Sequence, residues 1–249
     1  MKSPSITVIT VTLNCAGHLQ ELIDSLLTQT DQDFDWTVMD GGSTDDSVAV
    51  ASRFPAHRTT IESRPDFGIY DALNKAVKRA QGDYYLVVGA DDRLDPQAIA
   101  NFRRLAAESC ADIVAAKVAT GTGVLRPMRG WTWLRGGNAF VASHSVGSLI
   151  RRDLHLSCGY YSNRYINAAD MHFVLKAVRV CDARVVAGDF IAGMFSESGI
   201  SSRDRVCSLS DAFRIQLAMG ANVPLQLALY TFRLINALLL SRATKRPST

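Results

Sequence analysis

The sequence predicts an α/β fold: a mostly parallel β-sheet that is covered by helices on both faces. Short β-branched and aromatic runs alternate with segments whose apolar residues recur at helical spacing, a pattern typical of parallel sheets with crossover helices. The first run, Ile6 to Thr12, is β-branched at every position, which suits a buried parallel strand. Polar clusters follow three of the strands directly, at the sheet edge where such folds bind ligands.

The other elements follow in chain order. Apolar residues three and four positions apart predict helices over 19–27, 45–53, 69–80, the stretch after Pro96, and 168–180. Further runs predict strands over 34–39, 58–62, 84–88, 112–118 and 142–150. Residues 121–138 are rich in glycine and contain two tryptophans, so they predict a loop-rich segment.

Composition narrows the classes of protein. The 249 residues are 47% hydrophobic, which is enough for one substantial core or two small domains. A net charge of +3 is too small to indicate a nucleic-acid partner. The five cysteines are scattered and form no CxxC pair, which argues against a disulfide framework or a zinc site and predicts reduced thiols in the cytosol. The N-terminal apolar run is short and contains threonines, so it indicates a strand and not a signal peptide.

Two acidic turns are candidates for chemistry. Asp91-Asp92 directly follows an apolar strand, where a carboxylate pair can hold a hard divalent cation together with phosphate oxygens. The same pair also suits a turn that leads into a helix. The turn Asp40 to Asp45 contains two glycines, which allow close backbone approach, and hydroxyl residues that can cap a helix. The sequence has no GKS or GKT, so a P-loop is excluded.

Five segments, in order over residues 5–202, resemble motifs of family 2 glycosyltransferases. Residues 38–47 (VMDGGSTDDS) resemble V-D-G-G/D-S-T-D, residues 66–75 (DFGIYDALNK) resemble D-x-G-I-Y-D-A-M-N-K, and residues 80–92 resemble A-x-G-x-Y…G-A-D-D. Residues 165–170 (YINAAD) resemble Y-x-x-x-x-D, and residues 198–201 (SGIS) resemble G-G-I-S. The set is similar to the branch of the family that builds bacterial surface polysaccharides and glycolipids.

The resemblance implies a GT-A fold, a UDP-sugar or GDP-sugar donor, and a bound Mg²⁺ or Mn²⁺. Carried over by position, the donor-binding residues are Thr12, Asn14, Asp40, Asp66 and Asp91. Thr12 and Asn14 would line the nucleotide pocket, Asp40 would bind the base or ribose with Asp66 in support, and Asp91 would face the ribose or sugar.

The resemblance also assigns the catalytic groups. Asp92 would ligate the metal, which offsets the charge that develops on a diphosphate leaving group. Asp170 would be the general base that takes the proton of the attacking acceptor hydroxyl, and a single displacement of this kind inverts the anomeric centre. Without the resemblance, an Asp at this place also suits a helix cap. Two positions depart from the family: Ala169 replaces a common Glu, and Val11 replaces a common Pro.

Several weaker candidates stay open at this level. His144 lies where relatives often carry C-H-Q, so it could touch the acceptor or the diphosphate, and it or His172 could equally be a hydrogen-bonded structural residue. Lys75 and Arg79 could reach phosphate or belong to a solvated helix face. Trp131 and Trp133 could form an acceptor platform or pin a loop by packing.

The resemblance and the pattern together predict the domain organisation. Residues 1–203 would form the GT-A domain, with a nucleotide-binding half over 1–118 and an acceptor-binding half over 119–203, and residues 204–249 would form a C-terminal helical segment. The apolar run 225–240 has 16 positions, four of them polar, whereas a spanning helix needs roughly 20 apolar residues. It is therefore predicted either to pack on the domain or to contact a membrane surface through 224–246.

The function predicted is an inverting hexosyltransferase in polysaccharide or glycolipid assembly for the cell envelope. Its acceptor would be a saccharide or a lipid-linked sugar, and its location would be cytoplasmic, at the inner face of the membrane if residues 224–246 contact it. The alternatives are a sugar-phosphate nucleotidyltransferase and a non-catalytic module that binds nucleotide sugars. The first lacks the expected Gly-rich basic loop for a triphosphate, and the retention of Asp92 and Asp170 counts against the second.

Overall fold

The computed structural model describes residues 3–128, 130–142, 144–196 and 205–243. The predicted motif at 198–201 and the predicted boundary at 203 lie outside these residues.

The N-terminal half is a parallel α/β unit. Its four strands are β1 (Ile6–Thr12), β2 (Phe34–Asp40), β3 (Thr59–Ser63) and β4 (Tyr84–Val87), which lie in the order β3-β2-β1-β4 and run parallel. The helices that connect them are α1 (Ala16–Leu27), α2 (Ser47–Ala51) and α3 (Ile69–Arg79). Thr12 pairs with Asp40 in the sheet register, so the polar turns after β1 and β2 start side by side.

Beyond β4 the sheet becomes mixed. The elements are β5 (Arg93–Leu94), α4 (Ala98–Ser109), β6 (Ile113–Thr120), β7 (Gly123–Leu125), α5 (Thr132–Arg135), β8 (Ser148–Arg151), α6 (Leu154–Cys158), α7 (Ala169–Val180) and β9 (Val185–Met194). In the described part of the chain the order continues β4-β8-β6-β9-β5, with β8 antiparallel to both of its neighbours. The α/β fold is confirmed: the sheet is parallel through the N-terminal half and again between β6 and β9, and it is antiparallel at the pairs made by β8, β7 and β5. Of the strand predicted over 142–150, only the last residues join the sheet as β8, because residues 145–147 form a 3₁₀ turn.

The core has two layers, one on each face of the sheet. One face packs Trp36 of β2 against α1, α2 and α4, and the other packs Tyr85 of β4 against α3 and α7. Helix α3 turns Tyr70, Leu73, Ala76 and Val77 toward the sheet, at the spacing that the sequence showed. This two-sided cover was predicted, and it leaves the carboxyl ends of the parallel strands as the edge at which ligands can enter.

The structure brings two of the five cysteines together. Cys158, the last residue of α6, and Cys181, which follows α7, lie with their Cα atoms 6.2 Å apart, within the separation that disulfides span. Helices α6 and α7 pack together, so residues far apart in sequence meet at their ends. The lack of a disulfide framework and the reduced state of the thiols stay predictions.

The C-terminal segment contains two helices, α8 (Arg205–Ala218) and α9 (Val223–Ala243), which pack on each other. Within the described ranges, no helix combines the length and the hydropathy that a membrane span requires. The division into halves at residue 118 and a separate segment from 204 stays a prediction.

Candidate active site

The turns that follow β1 and β2 are joined by hydrogen bonds into one rim. The backbone N of Asn14 donates to Ser43 Oγ at 2.8 Å, and the backbone N of Thr44 donates to Asn14 Oδ1 at 2.9 Å. Asn14 adopts a left-handed backbone, with φ of 53°, a conformation in which Asn is enriched among non-glycine residues. Thr12 ends β1 just before this rim, and its buried Oγ1 has no hydrogen-bond partner among the described residues.

Asp40 holds the second turn in shape. Its carboxylate is buried and accepts hydrogen bonds from the backbone N of Gly42 at 3.0 Å, the backbone N of Ser43 at 2.8 Å and Ser63 Oγ at 2.6 Å, and also from Ser43 Oγ. Burial acts to raise the pKa of Asp40, but the bonds from Ser43, Ser63 and Gly42 outweigh it and lower the pKa. The carboxylate is thus ionised and already fully bonded, so it organises the rim before any ligand arrives.

Asp66 stands beside this turn. Its Oδ1 accepts from the backbone N of Gly68 at 2.8 Å, and a Cβ added at Gly41 would lie only 2.8 Å from its Oδ2. Glycine at position 41 therefore allows the two turns to approach. Gly68 immediately precedes α3, so Asp66 connects the β2 rim with the start of that helix.

Asp92 is a nearly inaccessible carboxyl after β4. It is 1% exposed, and its oxygens accept from the backbone N of Gly89 at 3.0 Å and the backbone N of Ser196 at 3.2 Å. Burial and the neighbouring charge of Asp91 raise the pKa of Asp92 to about 7. An ionised Asp92 is therefore poorly compensated, and a nearby cation would stabilise it.

His144 faces the same carboxyl. Its Nδ1 lies 3.7 Å from Asp92 Oδ2, and its ring lies against Phe195 with centroids 4.0 Å apart. Burial lowers the pKa of His144 to about 4, although the charges of Asp170 and Asp91 act in the opposite direction. The imidazole is neutral near pH 7, so it offers hydrogen bonds and no positive charge. The sequence left this residue open, and the structure places it beside the Asp92 carboxyl and within the electrostatic influence of Asp170.

Asp170 occupies the first turn of α7, opposite the start of α3. Tyr70 donates its hydroxyl to Asp170 Oδ1 at 2.9 Å. The carboxyl keeps a partly exposed surface although protein surrounds it on most sides, a combination expected at the floor of a cleft. Burial raises the pKa of Asp170, while the bonds from Tyr70 and from the backbone of Met171 lower it.

Sequence reasoning missed the role of Tyr70, because its partner Asp170 lies 100 residues away in the chain. Its signal was present in the segment 66–75, where the tyrosine is part of the quoted motif. Tyr70 also connects the two parts of the site: Asp66, at the β2 rim, lies just before α3, and Tyr70, bonded to Asp170, lies in the first turn of that helix.

The other candidates have structural partners. Lys75 pairs with Asp71 at 2.7 Å, Arg79 pairs with Glu62, and the His172 ring lies against Tyr165 with centroids 4.9 Å apart. Trp131 and Trp133 stack on each other at 6.1 Å and are largely exposed. The structure therefore favours the structural interpretation of the first three, and the tryptophans lie on the surface.

The carboxylate of Asp92 can ligate a hard divalent cation but does not by itself complete the metal's coordination shell. Each Asp92 oxygen accepts one backbone N–H, which leaves it one further lone pair, although the carboxyl is only 1% exposed. Across the described ranges, no group of three His, Cys, Asp or Glu side chains could by itself hold a metal ion. Mg²⁺ and Mn²⁺ commonly take one or two carboxylates and complete their shell with water and substrate phosphates, so the fit requires a phosphate-bearing ligand.

The fold and this rim define a class: an α/β protein with acidic turns at the carboxyl ends of its parallel strands and a further buried carboxyl, Asp170, at the start of a helix. The chain belongs to glycosyl transferase family 2, whose family model matches residues 7–151. An uncharacterised glycosyltransferase of Mycobacterium tuberculosis is 30% identical over 191 residues, which cover 72% of this chain and 71% of that protein.

Other relatives match over a smaller share of their own length, 38% and 21% in two of them. A PGL/p-HBAD biosynthesis glycosyltransferase of Mycobacterium bovis is 40% identical over 97 residues, 38% of this chain and 38% of its own length. The chondroitin synthase of Pasteurella multocida is 29% identical over 207 residues, 75% of this chain and 21% of its own length.

Two solved structures share the GT-A fold. Residues 1–349 of Staphylococcus aureus TarS, in complex with UDP-GlcNAc, give a TM-score of 0.71 at 20% identity and cover 92% of this chain and 71% of that one. The mannosyltransferase PcManGT of Pyrobaculum calidifontis, in complex with GDP-Man and Mn²⁺, gives a TM-score of 0.71 at 20% identity, over 100% of this chain and 77% of that one. At this identity the likeness concerns the fold alone.

Proposed function

We propose that this protein is an inverting glycosyltransferase, which moves a hexose from a nucleotide diphosphate sugar to an acceptor hydroxyl. The observation that carries the proposal is the arrangement around Asp170: Tyr70 holds the carboxyl, and the Asp92–His144 pair lies within electrostatic reach. Membership of family 2 supports the reaction class.

The nucleotide would occupy the rim formed by the turns after β1 and β2. The unpaired Thr12 hydroxyl and the Asn14 side chain would contact it, while Asp40 and Asp66 would bind the base and ribose. Since Asp40 already accepts four hydrogen bonds, we expect the ligand to contact the turn that Asp40 stabilises and to displace at most one of those four bonds. UDP-GlcNAc and GDP-Man in the two fold neighbours support a nucleotide-sugar donor.

The diphosphate would lie above Asp91 and Asp92. Asp92 would hold Mg²⁺ or Mn²⁺, and the ion, when bound, supplies positive charge to the departing diphosphate. Asp91 would face the ribose or the sugar. The Mn²⁺ in the mannosyltransferase complex supports this choice of metal. His144, neutral and directed at Asp92, would donate or accept one hydrogen bond at the diphosphate or the acceptor.

Asp170 would take the proton from the acceptor hydroxyl as its oxygen attacks the anomeric carbon. The bond to the leaving nucleotide diphosphate breaks as the new glycosidic bond forms on the opposite face, so the configuration inverts. A general base works best with a pKa near the working pH. Burial raises the pKa of Asp170 toward that range, and the Tyr70 hydroxyl fixes one of its oxygens.

The acceptor would be a saccharide or a lipid-linked sugar. The names of the relatives, a PGL/p-HBAD biosynthesis glycosyltransferase and a chondroitin synthase, support glycolipid or polysaccharide assembly. The cytoplasmic location and the contact of residues 224–246 with a membrane belong to this proposal as well.

The Asp170→Asn variant tests the proposal. We expect it to keep its Mn²⁺-dependent stabilisation by the donor nucleotide and to lose sugar transfer by about a hundredfold or more, the contribution of a general base. Asp182→Asn is the matched control, since Asp182 follows the other end of α7, is exposed and has a φ of 57° that Asn tolerates well.

The donor for this assay comes from a panel of nucleotide sugars screened for thermal stabilisation, with and without Mn²⁺. If the turnover of Asp170→Asn equals that of the wild type, Asp170 is excluded as the general base. Turnover that requires a sugar phosphate and a nucleoside triphosphate would assign the nucleotidyltransferase alternative, and binding without any turnover in the wild type would assign the binding module.

A further inference from the structure

Helix α9 exposes more large apolar side chains than an ordinary surface helix does. A surface helix normally buries an apolar stripe and exposes polar residues. In α9 large apolar side chains point outward, while the less exposed side mixes polar and apolar residues: Gln226, Leu229, Tyr230, Arg233, Leu234 and Ala237. The outward residues are 39% to 64% exposed: Leu225, Leu227, Phe232, Ile235, Leu238 and Leu239.

Polar anchors fix this orientation. Gln226 Nε2 donates to the carbonyl of Trp133 at 2.5 Å, and the guanidinium of Arg233 donates to the carbonyl of Leu134 at 2.6 Å. Gln216 of α8 donates to the carbonyl of Thr132 at 2.7 Å. Three successive carbonyls of the short helix α5 are thus capped by the C-terminal helices. Rotating α9 to bury its apolar side would break these hydrogen bonds, and leaving buried donors and acceptors without partners costs free energy.

The same anchors place α9 next to the stacked Trp131–Trp133 pair. Trp131 is 64% exposed, although indole rings usually bury much of their surface. We call the outward residues of α9 together with the two tryptophans the apolar surface. Several large apolar side chains exposed together on one side of a helix indicate a contact with a partner or a membrane.

Charge decides between the possible partners. Residues 113–152, which include the tryptophans, contain no Asp or Glu, and neither do residues 212–249, which include α9. Both segments carry several basic residues, among them Arg135, Arg214 and Arg233. A second copy of the chain would bring like charges together, whereas anionic lipid headgroups would be attracted. Tryptophan favours the interface of a bilayer, and an apolar helix face with basic neighbours inserts at the headgroup boundary.

We infer that the apolar surface is a docking site for the surface of an anionic phospholipid bilayer. The helix lies on the bilayer, the outward apolar residues enter the headgroup region, and the basic residues contact phosphates. Helix α5 leads directly into the turn Gly136–Ala139, whose Gly137 contacts the backbone of Met171 beside Asp170. If Asp170 is the base, which rests on the proposed function, a lipid-linked acceptor would be available close to the docked surface.

Vesicle flotation tests the inference without any turnover. The purified protein is mixed with phosphatidylcholine vesicles with or without phosphatidylglycerol. We expect binding to the anionic vesicles, weaker binding to the neutral ones, and loss at high salt. Of the three tryptophans, Trp36 is fully buried, so a blue shift of tryptophan fluorescence on binding reports Trp131 and Trp133.

The double variant Phe232→Gln and Ile235→Gln removes apolar area from the outward side while keeping good helix formers. Its binding to anionic vesicles should fall by about tenfold or more. Thr231→Gln with Asn236→Gln is the matched control, because both positions are exposed on the same helix and neither is apolar. Unfolding temperatures report whether each variant folds.

Three outcomes would overturn the inference. They are the same binding by the double variant and the wild type, no binding of the wild type to either vesicle, and a stable dimer in solution that the double variant abolishes. The last would assign the apolar surface to a second copy. A wild-type protein that binds vesicles but transfers no sugar would count against the proposed function, and it would leave the docking surface unaffected.

Discussion

Removing the hydroxyl of Tyr70 is the sharpest test of how the site prepares its base. The Tyr70→Phe variant keeps the ring packed against the core and deletes only the 2.9 Å hydrogen bond to Asp170 Oδ1. That bond stabilises the ionised carboxylate and so lowers its pKa, against the raising effect of burial. Without it, the pKa of Asp170 should rise.

The magnitude follows from the kind of bond. Hydrogen bonds to charged groups contribute about 1.5–3 kcal/mol, and one pKa unit corresponds to about 1.36 kcal/mol, so the rise should be about one to two units. The base works in its ionised form. The acidic limb of the kcat profile should therefore move to higher pH by about one to two units, with a large loss of rate below that limb and recovery at alkaline pH.

The assay is the pH dependence of kcat with saturating donor and acceptor. Tyr84→Phe is the matched control, because Tyr84 is also buried and its hydroxyl donates to the carbonyl of Ala111 at 2.7 Å, on β4 and with no bond to Asp170. The control should lose stability without moving the pH limb. If Tyr70→Phe lowers kcat equally at every pH, or raises only KM, the reasoning that Tyr70 tunes Asp170 is refuted.

Two further predictions concern the rim. Asp40→Asn should lower the free energy of unfolding by about 1.5–3 kcal/mol at neutral pH, since it replaces a carboxylate that accepts four hydrogen bonds. Because the pKa of Asp40 is lowered in the folded protein, this loss should shrink as the pH falls through that pKa. Urea titrations at several pH values measure the difference from the wild type, and a difference that stays constant with pH would contradict the prediction. Asp92→Asn should abolish the Mn²⁺-dependent part of thermal stabilisation by UDP or GDP. The variant without ligand should unfold at the same temperature as the wild type or higher, because a buried carboxyl with a pKa of about 7 is replaced by a neutral group. Asp182→Asn is again the control, and an undiminished Mn²⁺ effect in Asp92→Asn would exclude Asp92 as a metal ligand.

Local features of the sequence predicted most of the N-terminal half. Strands β1 to β4 and helices α1 and α3 lie where the periodicity placed them, within one to three residues at each end, because side-chain period and turn chemistry act over a few neighbouring residues. The polar turns at 40–45 and 91–92 follow strands for the same reason, and the ordered motifs identified the family.

Only the tertiary structure decided the rest. The antiparallel entry of β8 between β4 and β6, the bond between Tyr70 and Asp170, and the pairing of Cys158 with Cys181 all join residues far apart in the chain. The orientation of α9 could not be predicted either, because apolar residues surround much of that helix and its buried side was chosen by hydrogen bonds to the carbonyls of α5. Local propensity fixes which segments are helix or strand, whereas partners and buried faces depend on free energies that exist only once the chain has packed.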